Sequence, residues 1–156
     1  MASKGQALAE QFEQTHTELI RTVEGLTPAQ WQKTCATEGW TVAATVRHVG
    51  GGYGAISGMV QALASGQALP PFSMDDLDKA NAQAAKQNAN CTKDECLSEL
   101  RQGGVAAASM LKGLSDEHLA RTGTITGGRQ MTAEQVAQFI LIGHPQEHLQ
   151  SIRAVS

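Results

Sequence analysis

Apolar residues fall on helical stripes through most of this chain. Leu8, Phe12, Leu19, Val23 and Leu26 recur about every three to four positions, while Glu10, Glu13, Glu18 and Arg21 mostly lie off that stripe. Thr27-Pro28 reads as an N-cap followed by proline at the first helical position, opening a short turn through Trp31. Thr41 caps a second long helix whose stripe Val42, Val46, Val49, Tyr53, Ile56, Val60 and Leu63 approaches a heptad seam. Gly66 to Pro71 end that helix, and Met74 to Asn90 predict a polar surface helix. Thr92 caps a third main helix with Cys96, Leu100, Ala107, Met110, Leu111 and Leu114 as candidate core. A turn-rich stretch, Thr122 to Met131, could extend briefly at Thr124-Ile125-Thr126. Thr132, three residues before Gln135, then starts a fourth helix with capping-box spacing that runs to about Arg153.

The connections predict the topology. The first two long helices are joined by residues 27–41, which include a short turn, whereas residues 66–91 separate the second from the third and allow a crossover that leaves them parallel. The expectation is an all-α four-helix bundle with one long crossover, formed by residues 1–156 as a single domain. No internal repeat or low-complexity segment interrupts it.

Composition narrows the class further. A chain of 156 residues with 41% hydrophobic and 17% charged positions can build one sizeable core and is not disordered. Lysine and arginine number 12 against 15 acids, with no basic stripe, so no nucleic-acid partner is expected. No apolar run reaches the roughly 18 residues of a membrane span. The N-terminal MASKGQALAEQFEQ lacks a signal core, and Cys35, Cys91 and Cys96 include no CxxC pair; a cytoplasmic protein with reduced thiols is expected. Cys91 and Cys96, five apart, have poor helical spacing for a joint site. Aromatics at 4% with abundant alanine and glycine suit closely packed helices.

Candidate chemistry sits on three of the five histidines. His144 and His148 are one helical turn apart and continue the stripe Ala133, Ala137, Ile140, Leu141, which should face the core. Imidazoles on a core stripe are costly unless something pairs with them. His48 lies among small neighbours, Ala44, Thr45, Gly51 and Gly52, with Gly50 completing a glycine run inside an apolar helix. Such a run has two uses: close helix contact, or a cavity left beside the imidazole. Three neutral imidazoles from two helices make a nitrogen-rich site for one divalent transition ion, zinc or nickel, with a position open to water or substrate. His16 reads as a boundary histidine and His118 as a solvated one, Trp31 and Trp40 as the cover of one bundle end, and Pro145 as the source of a kink.

Gly39-Trp40-Thr41-Val42 followed by His48-Val49, the helix His144-x3-His148-Leu149, and Asp76-Leu77-Asp78-Lys79-Ala80-Asn81 together resemble the DinB-like superfamily in order and spacing. That resemblance implies an up-down-down-up bundle, a metal held by His48, His144 and His148, and a homodimer. It also implies relatives that include mycothiol- and bacillithiol-dependent transferases and isomerases, hence a low-molecular-weight thiol as a candidate cosubstrate.

The leading functional expectation is a metal-dependent enzyme of the transferase, isomerase or hydrolase type. A metal-activated thiol or water would act on a small-molecule substrate, with Glu147 as base or ligand partner at i+3 from His144. The alternative is a non-enzymatic metal- or ligand-binding stress-response protein. His144-Pro145-Gln146-Glu147-His148 also spells the H-x-x-E-H peptidase pattern, but too little chain follows to supply its third ligand.

Overall fold

The structure, a computed structural model, describes residues 2–155. Four long helices form a bundle: α1 (Lys4–Glu24), α3 (Val42–Ala64), α5 (Lys93–Lys112), and a last helix that runs through α7 (Ala133–Val136), a π-helical segment (Ala137–Ile142) and α8 (Gly143–Arg153). Short α2 (Pro28–Trp31) and α6 (Asp116–Leu119) lie in connections, and α4 (Met74–Gln87) occupies the crossover between α3 and α5. The direction sequence is up-down-down-up. Met1 and Ser156, the ends of the expected 1–156 domain, lie outside the described residues.

The helices begin where the sequence supplies an oxygen for their unpaired N–H groups. Thr41 accepts from Ala44 N, Thr92 from Glu95 N and Thr132 from Gln135 N; the last two, like Thr27 with Gln30, are complete capping boxes. α1 closes on another chain segment, because Lys93 Nζ donates to the Glu24 and Leu26 carbonyls at 2.9 and 2.8 Å.

The core follows the predicted stripes. Phe12, Leu19, Val23, Val46, Val49, Val60, Leu100, Leu111 and Leu141 are fully buried, each worth about 1.5–3 kcal/mol when it is large and completely withdrawn from water. Met110 and Leu114 only lean against this core from its edge. In α4 only Ala85 is buried, consistent with its polar sequence, and the helix packs across α3.

Two local features depart from a plain bundle. The turn-rich stretch forms an antiparallel hairpin, β1 (Thr122–Thr124) with β2 (Gln130–Thr132), turning through Gly127 and Gly128 at φ of 80° and 78°. Pro145, the expected source of a kink, lies within α8, and the helix widens into the π segment about one turn earlier. Pro145 has no N–H for the Leu141 carbonyl, and its ring would strike that carbonyl in a regular helix. The wide turn, which contains Leu141, answers that constraint.

Candidate metal centre

α3 and the last helix bring His48, His144 and His148 together. His48 Nε2 lies 2.9 Å from His144 Nε2, and His148 Nε2 lies 3.0 Å from the same atom. The rings stand nearly perpendicular, at 69° to 86°, with centroids 4.4–5.0 Å apart. Trp40 meets the His48 ring edge-on at 5.1 Å and covers this side. His144 and His148, four residues apart in α8, share one face despite Pro145 between them.

A carboxylate stands behind the cluster. Glu38 Oε1 is 2.8 Å from His148 Nδ1, and both side chains are largely buried. The bond assigns the proton of a neutral His148 to Nδ1, leaving an Nε2 lone pair aimed at His144. The other Glu38 oxygen, Oε2, is buried without a partner. Burial, reinforced by the neighbouring His148, pushes His48 down to about 4 and His144 down to about 3, so both are neutral at physiological pH.

Proton counting makes this arrangement unusual. A neutral imidazole has one N–H, so His144 Nε2 can bond its two neighbours only by sharing a single proton or by accepting from one alone. Three nitrogens facing one point suit a cation better. Imidazole ligands at about 2.0–2.1 Å in a tetrahedral site put their nitrogens roughly 3.3 Å apart. The observed separations of 2.9 and 3.0 Å need to open by only a few tenths of an ångström. The donor set therefore fits a divalent transition ion.

His48 and His144 also border a cleft of about 400 Å³. Gly51 and Gly52 form its floor on α3, Asn81 and Asn88 part of the α4 wall, and Arg129 on the hairpin part of its mouth. The two uses of the glycine run divide between residues. A Cβ on Gly50 would come within 3.0 Å of Glu99, so Gly50 serves close packing, whereas a Cβ on Gly52 would meet His144 at an ordinary 3.6 Å beside open space. A larger groove of about 900 Å³ between residues 66–74 and the hairpin has no titratable side chain in its lining.

Other expected residues lie elsewhere. Glu147 is exposed and makes no hydrogen bond or ion pair among the described residues. Glu38 occupies the partner position beside a histidine that was assigned to Glu147 on spacing. His16 stacks on Phe12 and shares a 2.9 Å hydrogen bond with the Tyr53 hydroxyl. His118 is half-buried rather than solvated, with an unpartnered Nδ1. Trp31 is buried under the bundle end and donates from Nε1 to the Cys91 carbonyl.

Residues 12–141 match the family described as the mycothiol maleylpyruvate isomerase N-terminal domain. The chain belongs to this family. It is thereby a DinB-like protein, as its tryptophan–threonine and histidine motifs suggested. Its fold matches that of YfiT from Bacillus subtilis, described as a probable metal-dependent hydrolase with an unusual four-helix bundle topology (TM-score 0.80, 19% identity, 97% of this chain and 85% of that one). It also matches the mycothiol-dependent maleylpyruvate isomerase (TM-score 0.75, 13% identity, 97% of this chain). There the DinB-like chain spans only 63% of the partner structure. No curated protein matches it. Among the described residues, no helix is long and apolar enough to cross a membrane.

Proposed function

We propose that this DinB-like protein is a metal-dependent enzyme in which His48, His144 and His148 hold one zinc or nickel ion at the head of the α3–α4 cleft. The observation that carries the reading is the convergence of three Nε2 atoms, with His148 oriented from behind by Glu38. When bound, such an ion supplies Lewis acidity that lowers the pKa of a thiol or water at its open position.

The chain's own residues take supporting roles. Glu38 holds His148 in the tautomer that presents Nε2 and stabilises positive charge on the ring side away from the cleft. Gly51 and Gly52 leave room for a substrate next to His48 and His144. Ile56, Met59, Leu77 and Ile125 exclude water from most of the cleft wall. Arg129, without an ion pair among the described residues, and Arg47, paired to Glu99 at 3.1 Å, give one charged side to this apolar lining. A small molecule with an apolar body and an acidic group suits it. The cleft lining holds no carboxylate or thiol among the described residues, so the nucleophile would come with the fourth ligand, as a low-molecular-weight thiol or water.

The test is metal analysis of untagged protein beside its His48→Ala variant, with mass spectrometry of co-purified small molecules. About one ion per wild-type chain and none in the variant is expected, together with a low-mass thiol or its adduct if the transferase or isomerase type holds. Equal metal in both proteins would overturn the site. Retained ligand without turnover of any thiol adduct would favour the non-enzymatic binding reading.

A further inference from the structure

Cys91 and Cys96 lie outside the histidine centre and have no part in the function proposed above. Cys91 precedes the Thr92 cap of α5 and Cys96 sits in that helix's first turns, so helical spacing does not govern their approach. Their sulfurs are 3.2 Å apart. The backbone that carries Cys91 is pinned from both sides. Its carbonyl accepts from Trp31 Nε1 at 2.9 Å, and the Ala89 carbonyl accepts from Thr41 Oγ1 at 2.9 Å. The contact therefore belongs to an anchored loop rather than to a free one.

The two thiols differ in access and in charge. Cys96 is 1% exposed, whereas Cys91 is half-buried and open to a small reagent. A hydrogen bond from Cys96 draws the Cys91 thiol below its ordinary value, and the Arg47 guanidinium assists against the opposing effect of burial. The same neighbour and burial push Cys96 up. Cys35 is fully buried and takes a bond from Thr45 Oγ1, with burial pushing it up. One accessible sulfur with a second buried behind it is the arrangement of an attacking and a resolving cysteine.

We propose that Cys91 and Cys96 form a redox-active dithiol that closes to an intramolecular disulfide by exchange with a low-molecular-weight disulfide. The Cys91 thiolate attacks one sulfur of that disulfide, forming a mixed disulfide and releasing one small thiolate, which takes up a proton. Cys96 then loses its proton and attacks Cys91 Sγ, forming the Cys91–Cys96 bond and expelling the second small thiol. Two protein thiols are oxidised by two electrons and one small disulfide is reduced to two thiols. The loop carries Asn88, which lines the cleft, so the cross-link would tie part of the α4 wall to the start of α5.

The probe is oxidised glutathione, added anaerobically to purified protein and followed by intact mass and peptide mapping. Wild type should lose two hydrogens and yield a linked Cys91–Cys96 peptide. Cys96→Ser and Cys96→Ala should each accumulate a glutathionyl adduct on Cys91. Timed alkylation of the unmutated, reduced protein should label Cys91 before Cys96 and Cys35, a readout that needs no variant to fold. Labelling of Cys35 or Cys96 first, a stable wild-type adduct on Cys91 without the internal bond, or no reaction with glutathione disulfide would overturn the proposal.

Discussion

His16 and His144 are both half-buried imidazoles pressed between helices, yet their nitrogens meet opposite situations. His16 lies flat against Phe12 and pairs with one phenol, Tyr53, while Gly104 on α5 clears the space its ring fills. One proton satisfies that contact. His144 faces two further imidazoles through a single nitrogen, and one proton at most must serve both contacts. Burial alone, which lowers the proton affinity of both residues, does not tell a structural histidine from a ligand. The surplus of lone pairs at one point does.

The largest separation should appear on deletion. His144→Ala should abolish tight metal binding, while His16→Ala keeps about one ion per chain and loses stability instead. Elemental analysis after dialysis and a thermal melt measure both, and a His16→Ala protein without metal would erase the distinction.

Acid should act next most strongly. His48 and His144, at about 4 and about 3, refuse protons that the unfolded chain accepts near its ordinary value of 6.5. Their contribution to stability is therefore complete above 6.5 and declines as pH falls towards 4 and 3. Chemical denaturation of metal-free protein at stepped pH should show this decline, and a His48→Gln/His144→Gln double variant should flatten it. Metal affinity should fall over the same acid limb, because the ligands must be deprotonated.

Glu38→Gln should weaken the metal by about 10–100-fold, the usual cost of losing a ligand's carboxylate partner, and should leave the His16 region untouched. Calorimetric titration with zinc reads this directly; unchanged affinity would separate Glu38 from the centre.

The smallest effects compare two glycines bearing the same added methyl. Gly104→Ala places a Cβ against the His16 ring and should cost about 1–3 kcal/mol in denaturant melts. Gly52→Ala meets only ordinary contacts beside His144 and should gain roughly 0.5–1 kcal/mol from helix propensity.

Most of the bundle could be read from the sequence because its signals are local. Threonine caps at 27, 41, 92 and 132 mark helix starts, and apolar spacing marks their inner faces. The meeting of His48 with His144 and His148 was legible because the last two continue a predicted stripe and His48 sits among small residues on another helix. Glu38 was not, because it lies on a turn with no periodicity, and the positive φ of Gly39, 72°, turns the chain just after it. Spacing drew attention to Glu147 instead, yet a residue adjacent to His148 on a helix points about 100° away from it. The approach of Cys91 to Cys96 was not legible, because helical spacing does not govern a residue outside the helix. The π segment was invisible because widened and regular turns share the same apolar pattern.

That segment also sets a constraint of phase. Were that wide turn to tighten to regular α-helix with no residue removed, everything downstream would rotate by about 100° and advance about 1.5 Å. His144 and His148 would swing away from His48 while Ala133 and Val136 kept their places. The segment should thus accept side-chain exchange at exposed Phe139 as long as its turn stays wide. Counted from the Thr132 cap, the last helix works as an angular index, and the extra residue in its wide turn sets the bearing on which both imidazoles arrive.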